Sequence, residues 1–181
     1  MPVPPNYIVS GLLKRDATKY LSADCYQWAE PEVDAAPFIE KLSNPEPLNA
    51  LLALLRSQTL PRWAHFHPDS LGRNLQAGEH AFRVYDTLHF MEDSENWIDR
   101  HYALATDGSF NLHVLVADGR VGVLSKEFDG ILGDCFPDLD AYLFTMLRLS
   151  LVSQLGAEQV LRDIGDVEGA DEYVLEIEEM L

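Results

Sequence analysis

The sequence predicts a mixed α+β fold in a single domain, with a central antiparallel sheet flanked by helices. Three observations predict it. The 181 residues suit one domain, 47% of them are hydrophobic, and the hydrophobic period changes along the chain from helical to alternating and back. We expect residues 1–60 to be mainly helical, residues 80–126 to hold the sheet, and residues 137–181 to be helical.

The first part contains one strong helix pattern and one weak one. The strong pattern follows Pro45 and Pro47, and Pro61 ends it. Its leucines fall on one helical face at positions Leu48, Leu51, Leu52 and Leu55. A short helix is predicted over residues 37–42. Alternating apolar residues over 80–90 favour a strand, with a helix as the alternative.

A three-stranded antiparallel meander is predicted within about residues 97–126. Its strands are the β-rich runs 102–106, 111–117 and 120–125. Asp118-Gly119 separates the last two runs and is typical of a two-residue primed turn, in which both positions accept positive φ. Because apolar residues occupy both sides of the middle strand, part of each sheet face should be covered.

The helical period returns after Pro137-Asp138, which is typical of a helix beginning. An apolar stripe runs from Leu139 to Ser150, and Gly156 ends the segment. Residues 157–164 and 171–181 then form two short amphipathic helices. We expect these two helices to make an acidic C-terminal extension.

The charge is strongly negative and unevenly placed. The chain has 13 basic and 30 acidic residues, a net charge of −17. Residues 91–181 contribute five basic and twenty acidic residues, which is −15 of that total. Such a surface repels nucleic-acid phosphates and anionic membranes, so we expect no binding to either. It favours rapid, salt-sensitive capture of a basic protein.

The acidic residues most exposed to a partner are expected in two stretches of the second half. The partner-binding candidates are Glu92, Asp93, Glu95, Asp99, Asp163, Asp166, Glu168, Asp171 and Glu172. A solvated acidic surface without a partner is the alternative reading of the same residues.

The sequence contains no nucleophile elbow, P-loop or dinucleotide fingerprint, so we expect no catalytic residue and no cofactor. One alternative stays open. His65 and His67 alternate as metal ligands on a strand do, and a third distant ligand would complete a site for a metal-dependent hydrolase. Without that third ligand they are ordinary surface or partly buried imidazoles.

The stretch from Trp97 to Leu149 resembles the end of SUKH-superfamily domains. It has a strand, an Asp-Gly-Ser turn at 107–109, a strand, a short glycine turn, a third strand, and then a helix that follows Phe136. Leu60-Pro61 is only a distorted form of the family's early motif, and the acidic C-terminus departs from its pattern. The resemblance implies an α+β domain with a central sheet. Many members are immunity proteins that neutralise bacterial toxins, often nucleases, by binding.

Charge and resemblance together favour a non-enzymatic intracellular protein that neutralises a basic, nuclease-type toxin. An intracellular adaptor with an unknown partner is a further alternative. The beginning of the sequence lacks a signal-peptide pattern, and no stretch approaches the length of a membrane span, so we expect a cytoplasmic protein. The sequence leaves the oligomeric state open.

Overall fold

The computed structural model describes residues 1–20, 36–57, 101–106, 112–124 and 131–181. Within them the chain forms both helices and strands, which confirms the mixed α+β class. The helices are α1 (Leu12–Tyr20), α2 (Ala36–Ile39), α3 (Glu46–Arg56), α4 (Leu139–Leu149), α5 (Val152–Leu155), α6 (Ala157–Ile164) and α7 (Asp171–Glu179). The strands are β1 (His101–Thr106), β2 (Leu112–Val116), β3 (Val121–Leu124) and β4 (Ile131–Phe136).

The four strands form one sheet in the order β1-β2-β3-β4, with every neighbouring pair antiparallel. Strands β1 to β3 lie where the alternating pattern places them. Strand β4 was not predicted, and its sequence explains why. Gly133 and Asp134 interrupt its apolar run, and both residue types are depleted in strands. The part of the predicted sheet over residues 80–100 lies outside the described residues.

The loop between β2 and β3 differs from the predicted two-residue primed turn. Gly119 N–H donates to the carbonyl of Val116 at 2.8 Å, and Val116 N–H donates to the carbonyl of Arg120 at 2.8 Å. This pattern defines a three-residue loop, in which Gly119 has φ +98° and Asp118 does not have positive φ. Only the last loop position needs the left-handed conformation that glycine supplies.

Both faces of β2 are buried, as the apolar pattern predicts. His113 and Leu115 point to one face and are 1% and 2% exposed, while Val114 points to the other and is fully buried. The His113 ring packs edge-on against Tyr142 of α4 at 5.7 Å. This contact places α4 against the His113 face of the sheet.

Helix α4 lies at the centre of the hydrophobic core. Each of its residues except Asp140 is buried, because its sequence is apolar nearly all round. Asp138 caps its beginning by accepting a hydrogen bond from Ala141 N–H at 2.8 Å. The helix ends at Leu149, and the short α5 ends at Leu155 and is followed by Gly156 with φ +80°. The predicted single segment is therefore two helices.

The last two helices, α6 and α7, belong to the core rather than extending from it. Val160, Ile164, Tyr173 and Ile177 are buried in the same hydrophobic cluster as α4 and the sheet. The Tyr173 ring stacks on Phe136 at the end of β4, with ring centres 6.4 Å apart. The expectation of helices at these positions is confirmed, and the structure shows that they pack on the core, which the sequence leaves open.

Candidate partner-binding surface

The predicted partner-binding residues fall into three groups. Glu92, Asp93, Glu95 and Asp99 lie outside the described residues. Asp163 lies on α6 and faces inward. Asp166, Glu168, Asp171 and Glu172 are exposed, on the α6–α7 connection and the first turn of α7. The structure therefore brings four of the nine candidates together on one short, solvent-facing stretch.

Asp163 differs from the other described candidates because it is held in a largely buried ion pair. Its Oδ2 lies 3.6 Å from Nε of Arg148, and only 14% of its side chain is exposed. Its Oδ1 accepts a hydrogen bond from Gln159 Nε2 at 2.8 Å. Arg148 holds the carboxylate against α4, while the hydrogen bond from Gln159 forms within α6, so the charge of Asp163 is largely neutralised within the protein.

Arg148 joins three parts of the chain through its guanidinium. Besides Asp163, it lies 3.5 Å from Asp16 on α1 and donates to the hydroxyl of Tyr7 at 3.3 Å. The guanidinium also stacks on Phe144, 3.4 Å from the ring centre. Burying this charge is tolerated because two carboxylates and a ring face it.

Tyr7 and Asp16 complete the buried network. The Tyr7 hydroxyl donates to Asp16 Oδ2 at 3.0 Å, and burial raises the pKa of Tyr7 well above its usual value. Arg15 lies 2.9 Å from the other Asp16 oxygen on the solvent side. The guanidinium groups of Arg15 and Arg148 therefore balance the charges of Asp16 and Asp163. This network stabilises the fold and adds little to the surface charge.

The connection between α6 and α7 presents Asp166 and Glu168 to solvent. Asp166 is 82% exposed and lies 3.6 Å from the terminal ammonium group of Met1. That ammonium group also donates to the carbonyl of Arg162 at 2.9 Å, near the end of α6, where the helix dipole favours a positive charge. An ion pair this exposed contributes about 0–1 kcal/mol and is screened by salt.

Helix α7 carries carboxylates at both ends of its exposed side. Asp171 and Glu172 lie in the first turn, where the helix dipole favours negative charge. Glu178 and Glu179 lie in the last turn, where the same dipole opposes it, and no basic residue occupies that turn. In the described parts of the chain, none of these four carboxylates has an ion-pair partner. The negative charges of these four side chains are therefore exposed to solvent and are not balanced by a cation within the described residues.

Leu175 lies in the middle of these four carboxylates, and sequence reasoning did not select it. It is 62% exposed, the second most exposed large hydrophobic residue among those described. A helical projection could have found it. Leu175 lies opposite the buried Tyr173 and Ile177, so it has no place in the core.

A small cleft of about 140 Å³ lies between the α2–α3 connection, the β2–β3 loop and the beginning of α4. Its lining includes three leucines, Leu42, Leu48 and Leu115. It also includes two carboxylates, those of Asp118 and Asp138. Both carboxylates have structural partners. Asp118 pairs with Arg120 at 2.8 Å, which lowers the pKa of Asp118, and Asp138 caps α4. The cleft is smaller than the roughly 300 Å³ at which typical ligand pockets begin.

The two histidines of the alternative metal site, His65 and His67, lie outside the described residues. Within the described ranges, no group of three or more His, Cys, Asp or Glu residues is placed to hold a metal ion. The hydrolase alternative therefore stays a prediction. Of the helices in those ranges, none is both long and apolar enough to cross a membrane.

Comparison with protein families, with curated proteins and with solved structures finds no match to this chain. The geometry and charge of its own residues are therefore the basis for a functional proposal.

Proposed function

We propose that this chain is a non-enzymatic intracellular protein that binds and neutralises a basic toxin or effector of the nuclease type. The observation that carries the proposal is the exposed, uncompensated negative charge of Glu168 on the α6–α7 connection and of Asp171 and Glu172 in the first turn of α7. An intracellular adaptor would also act by binding, but that alternative does not specify the kind of partner. The negative charge of the surface favours a basic partner.

Electrostatics supports a basic partner through the rate of association. A surface of one sign steers an oppositely charged protein and can raise its association rate by orders of magnitude at low salt. A nuclease presents basic groups where it binds phosphates, because its substrate requires them. Carboxylates arranged on a rigid helix can occupy those groups and exclude the nucleic acid.

The SUKH resemblance of residues 97–149 supports the same proposal from the sequence. It implies a central sheet flanked by helices, together with inhibition by binding. The antiparallel order of β1 to β3, followed by β4 and α4, is compatible with that layout. We therefore include the central-sheet arrangement and the immunity role in the proposal.

The test is recovery of a partner with the tagged chain from lysate of its source cells, at low and high salt. We expect one basic protein, retained in near-equal amount at low salt and released at high salt. Its nuclease activity should fall as the purified chain is added. Recovery of no basic partner, or of one whose activity is unaffected, would contradict the proposed function.

A matched pair of triple variants then locates the contact. The test variant is Glu168→Gln, Asp171→Asn and Glu172→Gln. The control is Glu40→Gln, Glu46→Gln and Glu158→Gln, which removes three exposed charges, two of them in first turns of helices. We expect a loss of about tenfold or more in association rate for the test variant only. Equal losses in both would show that net charge alone drives association.

A further inference from the structure

We propose that the outer face of α7 is the contact surface for this basic partner, and that Leu175 inserts into an apolar pocket of the partner rimmed by lysine or arginine side chains. This inference rests on the proposed function and extends it. It assigns the contact to one helix face and gives that contact an apolar centre as well as a charged periphery.

Leu175 lies on the side of α7 that faces away from the core. At about 100° per residue, Tyr173 and Ile177 lie about 160° around the helix from Leu175. Those two residues are 5% and 1% exposed, whereas Leu175 is 62% exposed. The helix is therefore attached to the core by one side, and its opposite side presents an apolar residue directly to water.

Acidic residues surround Leu175 on its face of α7. The neighbours on its helix face are at positions i−4, i−3, i+3 and i+4. Here all four are acidic: Asp171, Glu172, Glu178 and Glu179. Within the described residues no cation pairs with any of them. The face thus has the anatomy of a protein contact, with an apolar centre and a charged rim.

Neither Leu175 nor the carboxylates of the last turn stabilise α7 itself. Glu178 and Glu179 lie where the helix dipole disfavours negative charge, so they work against the helix that carries them. An exposed leucine contributes little to folding, because water still surrounds most of it. Both features are unfavourable or neutral for the free chain and favourable once a basic, partly apolar surface covers them.

Charge complementarity selects the occupant. A second copy of this chain would bring acidic face against acidic face, and a nucleic acid would bring phosphates against carboxylates. A protein groove with a basic rim satisfies the four carboxylates and covers the leucine. Recognition of one exposed helix face by an apolar groove is a common mode of protein binding.

The test uses the full chain and two synthetic peptide probes of equal length and charge. One probe alternates lysine with leucine, and the other alternates lysine with serine. We expect the lysine–leucine probe to bind the wild-type chain more tightly. Leu175→Ala should weaken that probe about fivefold or more and leave the lysine–serine probe unchanged. Fluorescence anisotropy measures both affinities, and circular dichroism checks that the variant is folded.

The matched control is Val9→Ala, because Val9 is also an exposed hydrophobic residue, at 40%, and lies outside α7. It should leave both probes unchanged. Equal effects of Leu175→Ala and Val9→Ala, or no effect of Leu175→Ala, would overturn the inference. The double variant Glu178→Gln and Glu179→Gln should weaken both probes at low salt, and unchanged binding by that variant would also count against it.

The partner recovered in the pull-down separates this inference from the proposed function. If that partner binds Leu175→Ala as tightly as wild type, the inference fails while the proposed function stands. If the probes respond as expected but no basic partner is recovered, the proposed function fails while the α7 face remains a binding surface for basic, partly apolar chains.

Discussion

Arg148 on α4 lies 3.6 Å from Asp163 on α6 and 3.5 Å from Asp16 on α1, with its side chain about 10% exposed. One guanidinium therefore connects α1, near the beginning of the sequence, with α4 and α6 in its last part. The pairing withdraws Asp163 from the acidic surface, whereas the nearby Asp166, Glu168, Asp171 and Glu172 face solvent. Arg148 therefore affects both the stability of the fold and the charge of the surface.

Replacing Arg148 with Ala should destabilise the protein strongly. The substitution leaves Asp16 and Asp163 buried without their cation and removes the stacking on Phe144. Removal of one partner from a buried ion pair typically costs about 3–5 kcal/mol. Urea unfolding followed by circular dichroism measures the loss. Arg162→Ala is the control, because its side chain is 66% exposed and should change stability by less than about 1 kcal/mol. Similar losses in the two variants would contradict a structural role for the network.

Ionisation of Asp140 should lower the free energy of unfolding as pH rises from acid to neutral. An ion-paired carboxylate has the opposite effect. Burial raises its pKa above the usual 3.8, although its Oδ1 accepts a hydrogen bond from Ile8 N–H at 3.0 Å. A raised folded-state pKa contributes stability that is fully present below the unfolded value and is lost as pH rises through the folded value. Wild type therefore loses this contribution on going from acid to neutral pH.

Asp140→Asn keeps an acceptor for Ile8 but does not ionise. The variant should gain stability relative to wild type at neutral pH, and this gain should shrink as pH falls through the raised folded-state pKa and level off below about 4, the unfolded value. Unfolding of both proteins at a series of pH values measures this. Asp118→Asn is the contrasting variant, since Arg120 lowers the pKa of Asp118 and its contribution is lost as pH falls. A stability difference between Asp140→Asn and wild type that does not vary with pH would contradict a raised pKa for Asp140.

Gly119 should be replaceable by Asn at lower cost than by Ala. Its φ of +98° is unfavourable for residues with a Cβ, and the nearest atom to such a Cβ is Ser43 Oγ at an ordinary 3.8 Å. The cost is therefore conformational rather than steric, about 1 kcal/mol for alanine. Asparagine tolerates positive φ better than alanine does. Thermal unfolding of the two variants checks the order, and an equal loss in both would point to a steric cause.

Local sequence patterns predict much of this fold. Strands β1 to β3 follow alternating apolar residues, and α6 and α7 follow helical ones, so each could be located without tertiary information. Strand β4 could not, because Gly133 and Asp134 oppose a strand and only pairing with β3 makes it one. The loop at Asp118-Gly119 was placed correctly but given the wrong length, because the same two residues suit both two-residue and three-residue loops.

The candidate surface was predictable to a similar extent. Exposure of Asp171 and Glu172 follows from the amphipathic period of α7. The inward position of Asp163 does not, because it depends on Arg148, which lies fifteen positions earlier on another helix. The packing of α7 on Phe136 is likewise a tertiary contact, so the sequence could identify the helix but not its attachment to the core.

That attachment predicts opposite outcomes for two neighbouring substitutions on α7. Ile177→Ala removes a side chain that is 1% exposed and should cost about 2–5 kcal/mol, because a buried isoleucine leaves a cavity. Leu175→Ala removes one that is 62% exposed and should change stability by less than about 0.5 kcal/mol. Urea unfolding compares them in the same helix, so differences in helix propensity are small. A small cost for Ile177→Ala would mean that α7 is not part of the cooperative core. A large cost for Leu175→Ala would mean that its side chain stabilises the free protein and is not reserved for a partner.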